Sequence, residues 1–474
     1  MSVRLGPATL ELLWTDLDGR EERLRDLVEE ELSTAPPPAL PDAITATYFL
    51  ALRTRSLSEV AVEIAYHATS GIRNPPPRSL LAECTGWSAG VVPFDQTGRI
   101  GLLHMAYPLK MLLHSDGHVT SIDILHTAAA AIIFDVYENQ DARLVALTVP
   151  QRIIETFPGP AHGPEGVRRL TSLAPGEPAF GTILKPTAGI TPDEVAALVS
   201  EIAGAELLVF VKEDENLYPD LAYSRLADRT RLAVAAIAQV RSTTSRPLLF
   251  APHVTSSPTE MLDNVDLALE AGATALMLSE TWAGGTVRMV REHTARMSAP
   301  PAIYGHNAGI GVKAKGIWRE VIDFLARLDG IDFRQTAPVR SGAPFLRPYG
   351  AEWRASENAL LRPVARIRPT MVVRAGALDQ GNIGLNLQDV EERGMLDSVL
   401  FLAGSAINSV RDRRGRPSPR LGAAAMEEAL EIHRSRALED VPANEHLRAL
   451  MDIARGRRLD ALLQVLPQRY PELS

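Results

Sequence analysis

The sequence is short of cysteine, aromatic rings, long apolar runs and, most unusually, lysine. One cysteine, Cys84, in 474 residues excludes an internal disulfide framework and is what a reducing cytoplasm leads one to expect. No apolar run approaches the roughly 20 residues needed to cross a bilayer. The longest, TAAAAIIF at 127–134, is far too short, so no membrane partner is expected. The opening MSVRLGPATLELLW has no apolar segment followed by a small-residue cleavage site, so no secretory signal is read there. Positive charge is in deficit. Lys+Arg total 49 against 58 Asp+Glu, and the formal charge of −9 argues against nucleic acid as a partner. Only five basic residues are lysine: Lys110, Lys185, Lys212, Lys313 and Lys315. Each is a place where an amine stands in a chain that otherwise uses the guanidinium, which cannot lose its charge.

What is there is ordinary for a soluble globular chain, with 46% hydrophobic and 23% charged residues. The length predicts two or three domains. Residues 1–43 read as a charged helical extension (EERLRDLVEEEL) and a proline-rich linker (APPPALP). Residues 44–170 read as an α+β domain, with ITATYFLAL, GRIGLLHMAYP and ARLVALTVP as strands and AVEIAYHAT and HVTSIDILHTAAAAIIF as helices. Residues 171–474 change character. Eight short apolar runs, GTILKP, LLVFVK, PLLFAPHV, ATALMLSE, PAIYGHNA, GIDFRQTAP, TMVVRAG and SVLFLAGSA, alternate with helical segments. TPDEVAALV opens one helix as a capping box, with Thr191 and Glu194 three apart. Eight strand–helix units predict a (βα)8 TIM barrel, with residues 420–474 as capping helices; a doubly wound open sheet is the alternative.

Active sites of such barrels lie at the C-terminal strand ends. Run two ends in Lys212-Glu213-Asp214-Glu215. Alternation along a strand points Lys212 and Asp214 the same way, and Glu215 sits where strand becomes loop. Two carboxylates begin a hard-cation site suited to Mg²⁺. A lysine joins them as a ligand only if CO₂ has turned its amine into a carbamate; otherwise the cluster is a salt-bridged strand end.

FVKEDEN resembles the metal motif of the RuBisCO large-subunit superfamily. The resemblance implies a carbamylated Lys212, with Asp214 and Glu215 as the other Mg²⁺ ligands. GTILKP resembles the strand-one motif, with Lys185 facing substrate. YGHNAG resembles the strand-five motif, giving His306. AECTGW resembles the loop whose glutamate, here Glu83, reaches a neighbouring subunit's site, which implies a homodimer or higher oligomer with shared sites. TFPGPAHGPEGVR resembles the segment that joins the two domains. Gly376 after strand seven, and Gly404 and Ser405 after strand eight, are expected to offer backbone N–H groups to an anion. His253, on strand three, is read as structural or as a further site histidine. The departures are informative. Thr187 stands where carboxylases have a second lysine, and Asn307 stands where the family has a phosphate-binding arginine. The loop RQTAPVRSGAPFLRPYG holds no lysine, which leaves Arg340 for substrate.

The resemblance is therefore to a RuBisCO-like (form IV type) protein rather than to a carbon-fixing enzyme. It implies a cytoplasmic, Mg²⁺-dependent lyase or isomerase acting through an enolate of a small keto-sugar or sugar acid. One alternative is the 2,3-diketo-5-methylthiopentyl-1-phosphate enolase of methionine salvage or a related isomerase. Another is a catalytically silent regulatory or structural member.

Overall fold

A computed structural model describes residues 17–242, 246–340 and 349–473. The chain divides into two compact units. One comprises residues 1–159, 309–329 and 350–367; the other comprises 160–308, 330–349 and 368–474.

The first unit is built on a four-stranded antiparallel sheet, in the order Trp87–Pro93, Ile100–Pro108, Ala43–Leu52, Asn139–Thr148. All ten residues of the central Ala43–Leu52 strand are buried, because sheet neighbours flank it on both edges and apolar helices cover it. The helices Leu57–His67 and Ser121–Ala129 each begin with a reciprocal capping box, Ser56 with Glu59 and Thr120 with Asp123. Each box satisfies two backbone donors that a helix start leaves unpaired. The helix Leu17–Thr34, read from the sequence as a charged extension, places Leu24 and Val28 in this unit's core. Its Arg25 stacks 4.1 Å from the Trp318 ring and pairs with Glu320 at 2.6 Å. The strand Trp87–Pro93 went unread in the sequence. AECTGWSAGVVP has no alternation, its residues are only partly buried, and it lies at the sheet edge.

The second unit is the barrel. Its strands are Ala179–Ile183, Leu208–Lys212, Leu249–Ala251, Ala275–Ser279, Ala302–His306, Phe333–Thr336, Met371–Ala375 and Val399–Ala403, called strands one to eight below. Seven of them fall within a run predicted from the sequence; strand one begins two residues ahead of GTILKP, at Ala179. Neighbours pair in parallel around the ring. A bridge between His253 and Met277 joins strands three and four and closes it, which disposes of the open sheet. Inward positions alternate, so Phe210, Met277, Tyr304, Phe333 and Leu402 fill the interior. Two glycines make room for neighbours. A Cβ on Gly181 would lie 2.8 Å from the Phe210 carbonyl oxygen and 2.9 Å from Leu402. A Cβ on Gly305 would lie 2.8 Å from Ile331 Cγ2. The predicted capping box at Thr191 and Glu194 is present, and the C-terminal helices Pro419–Arg434, His446–Arg457 and Asp460–Arg469 belong to the same unit. Among the described residues no helix is long and apolar enough to cross a membrane.

Candidate active site

The barrel fold carries Lys185, Lys212, Asp214, Glu215 and His306 to the C-terminal ends of strands one, two and five. Strand two ends with Lys212 wholly buried. Its Nζ donates to the Glu213 carbonyl at 3.1 Å and lies 3.3 Å from the Met277 sulfur and 5.3 Å from the Tyr304 ring centroid. Neither Asp214 nor Glu215 is a hydrogen-bond partner of this amine. Burial lowers its pKa to about 8, against the opposing pull of Glu215 and Asp214. Burial thus favours the neutral amine more than it would be favoured in an exposed lysine.

Asp214 is almost fully buried and accepts from Lys185 Nζ at 2.6 Å through Oδ2. Its Oδ1 takes the backbone and side-chain amides of Asn216, at 3.3 and 3.1 Å. Burial pushes this carboxyl up, but the Lys185 ammonium outweighs it and holds the group below the usual carboxylate range. Glu215 is half-buried and faces His306 Nε2 at 3.4 Å. His306 Nδ1 accepts the Ala308 N–H at 3.1 Å, which puts the ring hydrogen on Nε2, toward Glu215. Burial, and then the charge of Lys212, push the imidazole well below its ordinary pKa, so it stands neutral.

Glu213, between these groups in sequence, turns the other way. It pairs with Arg229 through Nε at 2.7 Å and Nη2 at 3.0 Å, both side chains being fully buried. Arg229 also holds the carbonyls of Leu217, Tyr218 and Ser224, at 3.2, 3.1 and 2.6 Å. Glu213 Oε2, which takes the Arg229 Nη2 bond, also accepts the His253 N–H at 2.9 Å. The pair therefore ties down the loop that carries Asp214 and Glu215. Sequence reading missed Arg229; a buried glutamate needs a cation, and the next helix was the place to look. His253 donates through Nδ1 to the Leu217 carbonyl at 3.3 Å, and its buried Nε2 has no partner among the described residues. Burial, then Lys212, bring it to about 4.

Other predicted residues are placed as follows. Asn307 donates to the Gln335 carbonyl at 2.9 Å, tying strand five to strand six. Gly376 and Ala377 both take positive φ, 112° and 52°, in the turn after strand seven. Gly404 lies beside Lys185: a Cβ there would come 3.5 Å from Lys185 Cε. Ser405 is exposed at the start of the next turn. Arg340 has its carbonyl bound by Asn386 at 3.1 Å and its side chain exposed. Residues 341–348 of its loop lie outside the described residues. Glu83 belongs to the other unit, at the end of the short helix Leu80–Glu83, 3.9 Å from Lys110.

Residues 167–343 match the family model described as ribulose bisphosphate carboxylase large chain, catalytic domain. That stretch of the chain, most of it in the barrel, is similar to the RuBisCO large chain. Similar family members include the 3-oxo-isoapionate-4-phosphate decarboxylase of Rhizobium rhizogenes, 28% identical over 71% of this chain and 75% of the relative. A RuBisCO-like protein (MtnW) from Alicyclobacillus acidocaldarius is 25% identical, with a TM-score of 0.72 over 91% of this chain and 100% of that one. The octameric ribulose-1,5-bisphosphate carboxylase/oxygenase of Pyrococcus horikoshii shares the fold, with a TM-score of 0.73, 20% identity and coverage of 90% and 96%. Family members are enzymes, and RuBisCO-like proteins are among the relatives.

Among the described residues no three His, Cys, Asp and Glu side chains are grouped to hold a metal ion. Asp214 and Glu215 supply two hard oxygen donors, and a carbamate on Lys212 would supply a third. The donor set fits Mg²⁺ on that condition. Burial that leaves part of the Lys212 amine unprotonated is what its addition to CO₂ requires.

Proposed function

We propose that the chain is a Mg²⁺-dependent enzyme that forms an enolate from a small oxo sugar acid, by proton removal or by loss of CO₂. The observation that carries this reading is the buried amine of Lys212 at the end of strand two, two residues before Asp214, which is itself clamped by Lys185. The neutral Lys212 amine adds to CO₂, forming a C–N bond and releasing one proton. The resulting carbamate, Asp214 and Glu215 would hold the cation. When bound, Mg²⁺ polarises the oxygens flanking the reacting carbon and offsets the charge that develops there.

The chain's own residues do the rest. Lys185 Nζ, held against Asp214, gives a proton to the enolate or its oxygen. His306, neutral and with Nδ1 already occupied, presents Nε2–H as a hydrogen-bond donor beside Glu215. Gly376, Gly404 and Ser405 line the strand-seven and strand-eight end of the mouth, where substrate oxygens are taken up, and Arg340 belongs to the same substrate side. Decarboxylation is supported by the name of the Rhizobium relative, an oxo sugar acid decarboxylase. The missing strand-one lysine, replaced by Thr187, speaks against carboxylation. Glu83 serves a second copy's site, which makes the working unit at least a homodimer.

The test supplies Mg²⁺, bicarbonate and 3-oxo sugar acids, with and without phosphate, in heavy water. Deuterium uptake at the α-carbon or release of CO₂ is expected. If every such acid survives unchanged with no exchange, the reading fails. Exchange with a thio-sugar phosphate alone would keep the reaction class and replace the substrate.

A further inference from the structure

In the helical layer of the barrel unit, the helices Ile383–Glu392 and Pro419–Arg434 and the start of His446–Arg457 wall a cavity of about 620 Å³. Two histidines line it. His446 is 4% exposed, and its buried Nδ1 has no hydrogen-bond partner among the described residues. A buried polar atom left unpaired is destabilising, so an imidazole kept in that state needs a reason. His433 donates through Nε2 to the two Glu391 oxygens, at 3.2 and 3.1 Å. Its Nδ1 is left with a bare lone pair. The two rings meet at Gly384. A Cβ there would lie 3.1 Å from His446 Nε2 and 3.9 Å from His433 Nδ1, so the lack of a side chain is what leaves both nitrogens open.

A histidine with one nitrogen tied to a carboxylate and the other bare is set up to ligate a metal. The carboxylate fixes the tautomer and makes the free nitrogen more basic. Burial, and then the neighbouring His433, lower the pKa of His446, which keeps its ring neutral; only the neutral ring has a lone pair to give. Imidazole nitrogens suit zinc, nickel and copper ions, whereas Mg²⁺ takes oxygen. No third His, Cys, Asp or Glu is grouped with the pair among the described residues, so water from the cavity fills the ion's other positions.

We infer that His433 Nδ1 and His446 Nε2 form a second metal site, for a divalent transition ion of the zinc class, apart from the barrel mouth. The site does not depend on the reaction proposed there. It joins three elements. His433 stands in the last turn of one helix, His446 opens the next, and Glu391 orients His433 from a third. The ion closes the loop between the first two and ties the C-terminal helices to the barrel's seventh helix.

The test dialyses the tag-free full-length protein against micromolar Zn²⁺ with Mg²⁺ in excess. One Zn²⁺ per chain is expected, with a higher melting temperature than in EDTA. His433→Gln and His446→Gln are each expected to weaken binding tenfold or more. Because His446 is buried, Gly384→Ala gives a check that leaves both rings in place. Alanine is favoured over glycine in a helix, so the metal-free fold survives, but the methyl presses on His446 Nε2 and binding falls. Co²⁺ in place of Zn²⁺ is expected to give visible absorption that His433→Gln removes. Asp214→Asn, at the mouth, and His114→Gln, in the His114–His118 pair of the other unit, leave the bound Zn²⁺ unchanged. No Zn²⁺ on the wild type, or wild-type affinity in both His433→Gln and Gly384→Ala, overturns the site. Loss of the ion in Asp214→Asn or His114→Gln would place it elsewhere and overturn the site as well.

Discussion

The two sides of the barrel mouth are built by different means. On the strand-two side, ionised groups are buried and held by other side chains: Lys185 on Asp214, and Arg229 on Glu213. On the strand-seven and strand-eight side the turn after strand seven holds Gly376 and Ala377 at positive φ, and a cation reaches the loop after strand eight from the far end of the chain, Arg469. On the proposed function the first side would make charge reactive, and the second would let a ligand come close. Burial decides the difference. A buried amine has its proton affinity reset by desolvation, whereas a half-exposed guanidinium keeps its charge and serves as a donor.

Four substitutions would break or sharpen that contrast. The largest effect is expected from Lys212→Arg, which cannot form a carbamate. Substrate exchange should fall by about 10⁴-fold, given the several kcal/mol a catalytic metal supplies. Wild-type exchange rates would remove the carbamate from the account. Next comes Arg229→Met, which leaves Glu213 as an unpaired buried charge and should cost about 3–5 kcal/mol in urea unfolding. A loss under about 1 kcal/mol would mean that the loop after strand two is held by other bonds. Lys185→Met should lower turnover by roughly 10²-fold or more, as removal of a positioned proton donor does. It should also lower stability, since buried Asp214 loses its ammonium partner, but the two Asn216 bonds remain and the fold should survive. The smallest effect belongs to the other side. Asn408→Ala removes bonds to Thr182 Oγ1 and the Ile183 carbonyl, both at 2.8 Å, and should cost about 1–3 kcal/mol with little change in turnover. A drop in turnover beyond tenfold would give the strand-eight side a chemical role that it lacks here.

A pH profile extends the contrast to the other unit. His104 is buried beside Thr47, with Nδ1 and Thr47 Oγ1 2.9 Å apart, and desolvation lowers its pKa below the ordinary value of 6.5. The unfolded chain then binds a proton that the folded chain refuses. This contribution is complete above pH 6.5 and is lost as pH falls through the lowered value. His104→Gln should flatten that part of the stability curve, measured by thermal melts from pH 7.5 to 5.

Much of this was legible in the sequence. The eight barrel strands stood out because they are buried on both faces, which writes them as continuous apolar runs. Lys212 stood out because lysine is rare here, and Asp214 because alternation puts it on the same face. The unread parts share a cause: their meaning lies in distant partners. Trp87–Pro93 is half-buried at a sheet edge and shows no period. Glu213 read as one more carboxylate until Arg229, sixteen residues on, claimed it. Arg469 is one of many arginines in the sequence, and only its bond to Asp379, ninety positions earlier, sets it apart.

The order in which the chain visits its two units has a consequence for anyone wishing to take them apart. The barrel unit is made of three pieces, 160–308, 330–349 and 368–474, and the stretches between them belong to the other unit. No single cut yields either unit whole. A fragment beginning at residue 160 would carry helices stripped of the partners they bury against, so the barrel unit cannot be shuffled onto another protein as a module.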